Sequence, residues 1–390
     1  MLIQTWAIFL DAYRELNSKK LFWITMVLSG LCVALFAAVG IDETSPTILW
    51  LHLRFIPVNS EIIPPSLLYK LLFVNLGLGV WLTWIATILA LISTAPVFPD
   101  MVASGAIETV LSKPISRTRL FLTKYAAGLL FVTLQVAVFT VACFLVIGIR
   151  GGAWEPGLLL AIPIVVIFFS YLFAVCAVLG LITRSTIAAL LLTILFWFFL
   201  YLFNLADAVL VSIREQTSVE IESRVEAISR AEAGTTEAII GQMREAGQEV
   251  PEGFVPTAEQ VNLTNPFIAG MRTENVEAQS GLEQLSWWTG LLYWVKTPLP
   301  KTGETVQLME RVIVDAAELD AAQTAADADR EAQEAQGRPR RGQNRDQVEA
   351  GRRTEAVFKA RSAWWVMGTS LGFEAVVLAF GAWRFKRRDF

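Results

Sequence analysis

The sequence predicts an all-α, polytopic membrane protein. Three observations predict it: six apolar runs of membrane-crossing length, a hydrophobic content of 54% with positive mean hydropathy, and a Lys/Arg bias between alternate loops. The runs lie at 21–41, 73–97, 120–148, 158–182, 186–211 and 363–383. Each holds roughly 20 or more mostly apolar residues, the length a helix needs to cross ~30 Å of hydrocarbon. They are apolar all round, whereas a soluble core helix keeps a polar back.

Residues 1–20 read as an amphipathic helix lying on the membrane. Ile3, Trp6, Ala7, Leu10 and Tyr13 recur at helical spacing, with Asp11, Arg14, Glu15 and Asn17 opposite. A cytoplasmic extension of the first span is the alternative. This stretch precedes a full-length span, so no cleavable signal is expected. Residues 21–211 carry the first five spans. The loop at 42–72, with Pro46, Pro57, Pro64 and Pro65, is expected to be ordered without a long helix. Residues 149–157 form a tight turn, and 183–185 a shorter one that makes the fourth and fifth spans antiparallel neighbours.

Short loops set topology through their Lys and Arg. One side carries Arg14, Lys19, Lys20, Lys113, Arg117, Arg119, Lys124 and Arg184, then Arg384, Lys386, Arg387 and Arg388. The other offers Arg54, Lys70 and Arg150. The bias places both termini in the cytoplasm and residues 212–362 outside as the large extracytoplasmic insertion. Arg352, Arg353, Lys359 and Arg361 pull against it, but loops this long translocate largely regardless of charge. Within the insertion, 213–248 shows a patchy stripe that fits a helix rising from the fifth span. Residues 251–304 look more globular, and 315–360 fit either a solvated helix or disorder. The run Leu285–Val295 is too short to cross. It suits an interfacial or re-entrant segment, or a buried helix of an outer domain. Span 363–383 and a basic tail, 384–390, complete the chain.

Composition excludes several functions. A net charge of −4 argues against a nucleic-acid partner. The three cysteines, Cys32, Cys143 and Cys176, fall inside spans and read as packing residues. With a single histidine, His52, a zinc site or His-based triad has almost nothing to be built from, and no cofactor is expected. No H-E-x-x-H, paired intramembrane aspartates or G-x-S-x-G elbow supports an intramembrane enzyme.

The inner loop 98–119 is the most informative short stretch. Met101, Ile107, Val110 and Leu111 can share a helical face, with Glu108 and Lys113 towards water. Pro114 ends the helix, and Ser116-Arg-Thr-Arg119 leads into the third span. A short cytoplasmic helix between two spans suits transmission of force from a soluble partner; a plain interfacial turn is the alternative.

Asp100, Ser104, Gly105, Ile107, Glu108, Val110, Leu111, Ser112, Pro114, Ile115, Ser116, Arg117 and Lys124 make this stretch resemble the inner loop of ABC transporter permeases of the type-2 (ABC-2-type) export family. Two positions depart: Asp100 stands where Glu is usual, and Thr123 replaces the Gly before Lys124. The amphipathic 1–20 resembles that family's elbow helix, and Gly180–Ala189 its short fourth-to-fifth connection. The insertion and Leu291–Lys301 look like the subgroup related to nitrous-oxide-reductase maturation and gliding-motility permeases. The resemblance implies a bacterial inner-membrane exporter subunit. It would work as a dimer, homodimeric or with a related chain, above separate ATP-binding cassette subunits that push on the loop helix. Asp100, Glu108, Lys113, Pro114 and Arg117 become the coupling residues. ATP hydrolysis belongs to the partner, since the chain has no G-x-x-x-x-G-K-[ST] loop. A membrane scaffold or sensor whose outer domain binds a partner is the rival reading.

Within the spans, Glu374 is the costly residue. An acidic group at helix centre costs ~3 kcal/mol on insertion scales unless protonated, paired or wet. It is expected to face the bundle, a dimer seam or a conduit. Asp207 and Asn204 lie towards the outer end of the fifth span. Asn75, Gln135 and Ser170 read as glue between helices, and Gly77 and Gly79 as points of close approach.

Overall fold

A computed structural model describes residues 10, 14, 20–41, 46–48, 51–52, 64–103, 116–251, 253–313 and 345–387. Among them are six helices long and apolar enough to cross a membrane: Lys20–Ala38, Pro65–Val102, Arg117–Arg150, Pro156–Thr183, Thr186–Glu245 and Ala363–Lys386. The six predicted spans are all present, and among the described residues the regular structure is helical apart from one short ribbon. Except for residues 10, 14 and 20, which are helical, the expected amphipathic helix 1–20 lies outside the described residues, as do 314–344.

The first span is α1 (Lys20–Ala38). It runs into an antiparallel ribbon, β1 (Val39–Ile41), β2 (Pro46–Ile48) and β3 (Leu51–His52), with Gly40 opposite Thr47. The second span begins at Pro65, eight residues before the apolar run at 73–97. Proline is preorganised for the first helical position, and the helix has it there. Lys70 interrupts the apolar pattern, yet it is 2% exposed and paired with Glu155 at 2.9 Å. This span comprises α2 (Pro65–Leu72), a π-helical stretch (Phe73–Ala86), α3 (Thr87–Thr94) and α4 (Val97–Ala103). Thr83 in the π stretch and Thr87 just after it donate their hydroxyls to carbonyls five residues back within it, Leu78 at 2.7 Å and Leu82 at 2.8 Å.

The third span, α5 (Arg117–Arg150), is capped by the Ser116 side chain. A 3-10 turn (Pro156–Leu160) leads into α6 (Ala161–Thr183), which ends on Arg184 in the left-handed region. α7 (Thr186–Glu245) has 60 residues, so the fifth span and the helix expected beyond it are one element. Then come α8 (Ala258–Thr264), α9 (Pro266–Lys296), α10 (Thr302–Ile313), α11 (Arg345–Lys359) and the last span, α12 (Ala363–Lys386).

The chain divides into two units. The membrane unit takes Met1–Leu202, Pro298–Arg340 and Ser362–Phe390. α6 is its centre: 56% of its most apolar window is buried, against 22% for α1, α7 and α12. Helices α4, α5, α10 and α12 pack on it. Hydrocarbon is as apolar as leucine, so close packing must hold such a bundle together. Gly128 leaves room for the Phe173 ring, which would lie 2.6 Å from an added Cβ, and Gly381 does the same for Val178 and Phe121. At one end of the bundle, Tyr69 donates to the Val39 carbonyl (2.6 Å) and receives the Arg150 Nε–H (3.0 Å), beside Lys70–Glu155. At the other, Arg117 donates to the Lys386 carbonyl at 3.3 Å. α10 falls in the stretch read as insertion, yet it packs on the second, fourth and sixth spans.

The second unit takes Phe203–Thr297 and Arg341–Arg361. Its α7 and α9 segments run antiparallel, joined by Glu232–Arg272 (2.5 Å) and Thr235–Asn265 (3.4 Å). Ile228, Ile239, Val261 and Ile268 form its core, and a Thr257–Gln260 capping box starts α8. Arg353 of α11 grips Glu222 with two bonds of 2.7 and 2.8 Å. The run Leu285–Val295 forms the last turns of α9. Trp287, Trp288, Leu291, Trp294 and Val295 share an exposed face there, so it is no buried helix.

Candidate functional site

Glu374 of α12 is buried at 8% exposure and faces the bundle. Its carboxyl joins three spans. Tyr125 of α5 lies 2.8 Å from Oε1, and the Ser170 hydroxyl of α6 lies 2.7 Å from Oε2. Tyr125 is held by stacking on Phe173, with ring centroids 5.0 Å apart and planes 9° apart. Phe173 in turn sits in the notch that Gly128 leaves. Lacking a side chain at residue 128, the bundle can place an aromatic pair against a carboxyl in its interior.

A second polar group lies further along α12. The Ser370 hydroxyl accepts from the Lys301 backbone N–H at 2.9 Å, and Lys301 Nζ donates to Thr369 at 2.5 Å and stands 4.2 Å over the Trp365 ring. Thr305 donates to the Lys301 carbonyl at 2.7 Å. Tyr171, fully buried on α6, has Thr305, Ser370 and Glu374 as its polar neighbours. The start of α10 is thereby stitched to α12.

The inner-loop segment expected to couple to a partner approaches this site from the other end. α4 carries Asp100 exposed in its first turn. Pro99 packs on Gly180, where an added Cβ would come within 3.0 Å of the ring. Phe98, 1% exposed, touches Phe121 (5.0 Å) and Phe173 (6.2 Å), the ring on which Tyr125 stacks. Arg117 is half-buried, on the Lys386 carbonyl. Glu108, Lys113 and Pro114 lie outside the described residues.

In the second unit, Asp207 is 1% exposed, and its Oδ2 lies 2.7 Å from both Lys296 Nζ and Arg361 Nη1. Asn204, half-buried, is one turn earlier on α7. Asn75 is not glue: it is exposed and bonds the Leu71 carbonyl of its own helix at 2.9 Å. Gln135 is buried, and its Nε2 has no hydrogen-bond partner among the described residues. It lines a cavity of about 10 Å³ with Thr25, Ser29 and Thr87. That is room for one water and for no larger solute.

Burial of Glu374 was legible as a carboxyl in an apolar run. Tyr125 was missed, because a tyrosine in a span gives no sign of its partner. Lys296 and Arg361 were missed as partners of Asp207, since they are 89 and 154 residues away along the chain.

Among the described residues, six helices of membrane-crossing length, with a short helix seated on the end of their central member, define a multi-pass membrane protein. A family model described as ABC-2 family transporter protein matches residues 7–390. The chain belongs to that family. It is therefore a permease-type membrane component of an ABC transporter, and membership implies a partner bearing an ATP-binding cassette. No curated protein and no solved structure matches the chain.

Proposed function

We propose that this chain is the permease subunit of an ATP-driven exporter in the bacterial inner membrane, with both termini cytoplasmic. The partners are a cytoplasmic ATP-binding subunit and a second permease copy. The ATPase docks on 98–119, with Asp100, Glu108, Lys113, Pro114 and Arg117 as contacts. The observation that carries this reading is the seat of α4: Phe98 and Pro99 wedge it against α5 and α6, so a push on the loop reaches the bundle interior through Phe173. The exposed apolar faces of α1, α7 and α12, which include Val27, Leu191 and Val376, are shared between lipid and the second copy.

ATP-driven movement of the outer unit is an alternative output of the same machine. The continuity of α7 favours it: 60 residues are ~90 Å of helix, far more than a bilayer core of ~30 Å requires. The exposed Trp287–Val295 face suits headgroup depth, where Trp rings settle.

Purification in mild detergent tests the reading. A soluble ATP-binding subunit should accompany the protein and be lost on deleting 100–117, and Glu108→Ala and Arg117→Ala should each weaken ATPase stimulation. Recovery of no nucleotide-binding protein across several detergents would favour a scaffold or sensor. Unchanged stimulation in both variants would remove those residues from the coupling role.

A further inference from the structure

The four close oxygen pairs around Glu374 need more hydrogens than two hydroxyls can supply. The Tyr125 hydroxyl lies 2.8 Å from Glu374 Oε1 and 2.9 Å from the Ser170 carbonyl. The Ser170 hydroxyl lies 2.7 Å from Oε2 and 2.8 Å from the Ile167 carbonyl. Carbonyl oxygens only accept, and each hydroxyl donates one hydrogen. With an ionised carboxylate, two hydrogens serve four close oxygen pairs, and two pairs face each other lone pair to lone pair. With a protonated carboxyl, the acid O–H donates to one hydroxyl, which passes its own hydrogen to its helix carbonyl. The other hydroxyl donates to the second carboxyl oxygen, and three of the four pairs are satisfied.

The surroundings agree. Among the described residues no cation forms an ion pair with Glu374. The titratable groups facing it from α5 and α6 are Tyr125 and Tyr171. From α10 and its lead-in, the nearest charged groups are Glu304 and Lys301, the latter bound at Thr369, five residues before Glu374. At the inner end of α12 stand Arg384 and Lys386, more than two turns away. A buried carboxylate without a cation is costly in a membrane interior, and the neutral acid is not.

We propose that Glu374 is a proton-binding site, closed by the third, fourth and sixth spans. It holds a proton while Tyr125, Ser170 and Glu374 meet. When α12 parts from α5 and α6, the hydrogen bonds to Tyr125 and Ser170 break, the carboxyl O–H gives its proton to a water, which becomes hydronium, and the carboxylate remains; no other covalent bond changes. Proton binding thus favours the joined arrangement. Phe98 touches the ring that positions Tyr125, so a displaced α4 bears on the same site. The proposal does not depend on what docks on α4.

Infrared spectroscopy of the full-length protein in lipid vesicles at neutral pH tests it. Glu374→Gln offers one carbonyl and an N–H donor to the same two hydroxyls, so it mimics the neutral acid. The wild type should show a protonated-carboxyl band that the variant lacks. The band should shift in Tyr125→Phe and vanish on unfolding in denaturing detergent at the same pH. Identical carboxyl-region spectra for wild type and Glu374→Gln would overturn the proposal, as would a band that survives unfolding. If Glu374→Gln does not accumulate, Tyr125→Phe decides: an unmoved band, or none in the wild type, overturns it.

Discussion

Replacing Asp207 by Asn should loosen the junction where α7, α9 and the α11–α12 turn meet. The carboxylate is 1% exposed and serves Lys296 and Arg361 from one oxygen, each at 2.7 Å. At an effective dielectric constant near 20, each attraction is about 6 kcal/mol gross. Desolvation offsets much of that, and removing one partner of a buried pair costs about 3–5 kcal/mol net. That corresponds to roughly two to four orders of magnitude in a local opening equilibrium. Hydrogen exchange read by mass spectrometry should show the last turns of α9 and residues 353–361 losing protection on that scale. A triple replacement, Asp207→Leu with Lys296→Met and Arg361→Met, should recover most of it, because apolar residues of similar volume substitute well for buried ion clusters. Unchanged protection in Asp207→Asn would show that the cluster holds nothing together.

Other tests are simpler. Gly128→Ala should lower thermal stability by about 1–3 kcal/mol through the clash with Phe173, whereas Gly234→Ala, with open space around it on α7, should raise it by about 0.5–1 kcal/mol. A gain at Gly128 would refute the close-packing account. The Arg353 guanidinium, through its bonds to Glu222, holds that carboxyl below the usual glutamate range. A lowered folded value stabilises above the ordinary carboxylate range and is lost as pH falls through the lowered value. The melting advantage of wild type over Glu222→Gln should therefore be present at neutral pH and shrink in acid. It should be small, since the pair is exposed. A cysteine at Ala238 should react with an impermeant reagent added outside spheroplasts; reaction only from the cytoplasmic side would invert the topology.

Much of this architecture could be read before any coordinates. Apolar length alone locates the six spans, because hydrocarbon thickness is a hard constraint. The start of the second span was misplaced because Lys70 and the Pro64-Pro65 pair look like loop. The pairing with Glu155 offsets the cost of burying a lysine there. The helix beyond the fifth span was visible as a stripe, but its continuity to Glu245 was not, since nothing in local sequence distinguishes a break from a long helix. The bundle-facing position of Glu374 followed from the cost of a carboxyl in lipid. Its partners depend on a notch at Gly128 that no spacing reveals. α10 lies in the stretch read as an insertion outside the membrane, yet Lys301, Glu304 and Thr305 at its start are each nearly fully buried.

The interleaving of the two units bears on how the chain is made. Synthesis passes from α6 through α7 and α9 before it reaches α10, so the face of the central span that α10 covers waits for its cover. At 5–20 residues per second, the stretch from Thr183 to Ile313 takes roughly ten seconds. Throughout that interval the hydroxyl of Tyr171 has neither Thr305 nor Ser370 beside it. The polypeptide must leave the membrane unit, return to lay down α10, leave again for α11 and come back for α12. Excising everything between the fifth and sixth spans would therefore not trim an appendage. It would remove a piece of the bundle itself, and a shortened version designed for expression should retain 298–313.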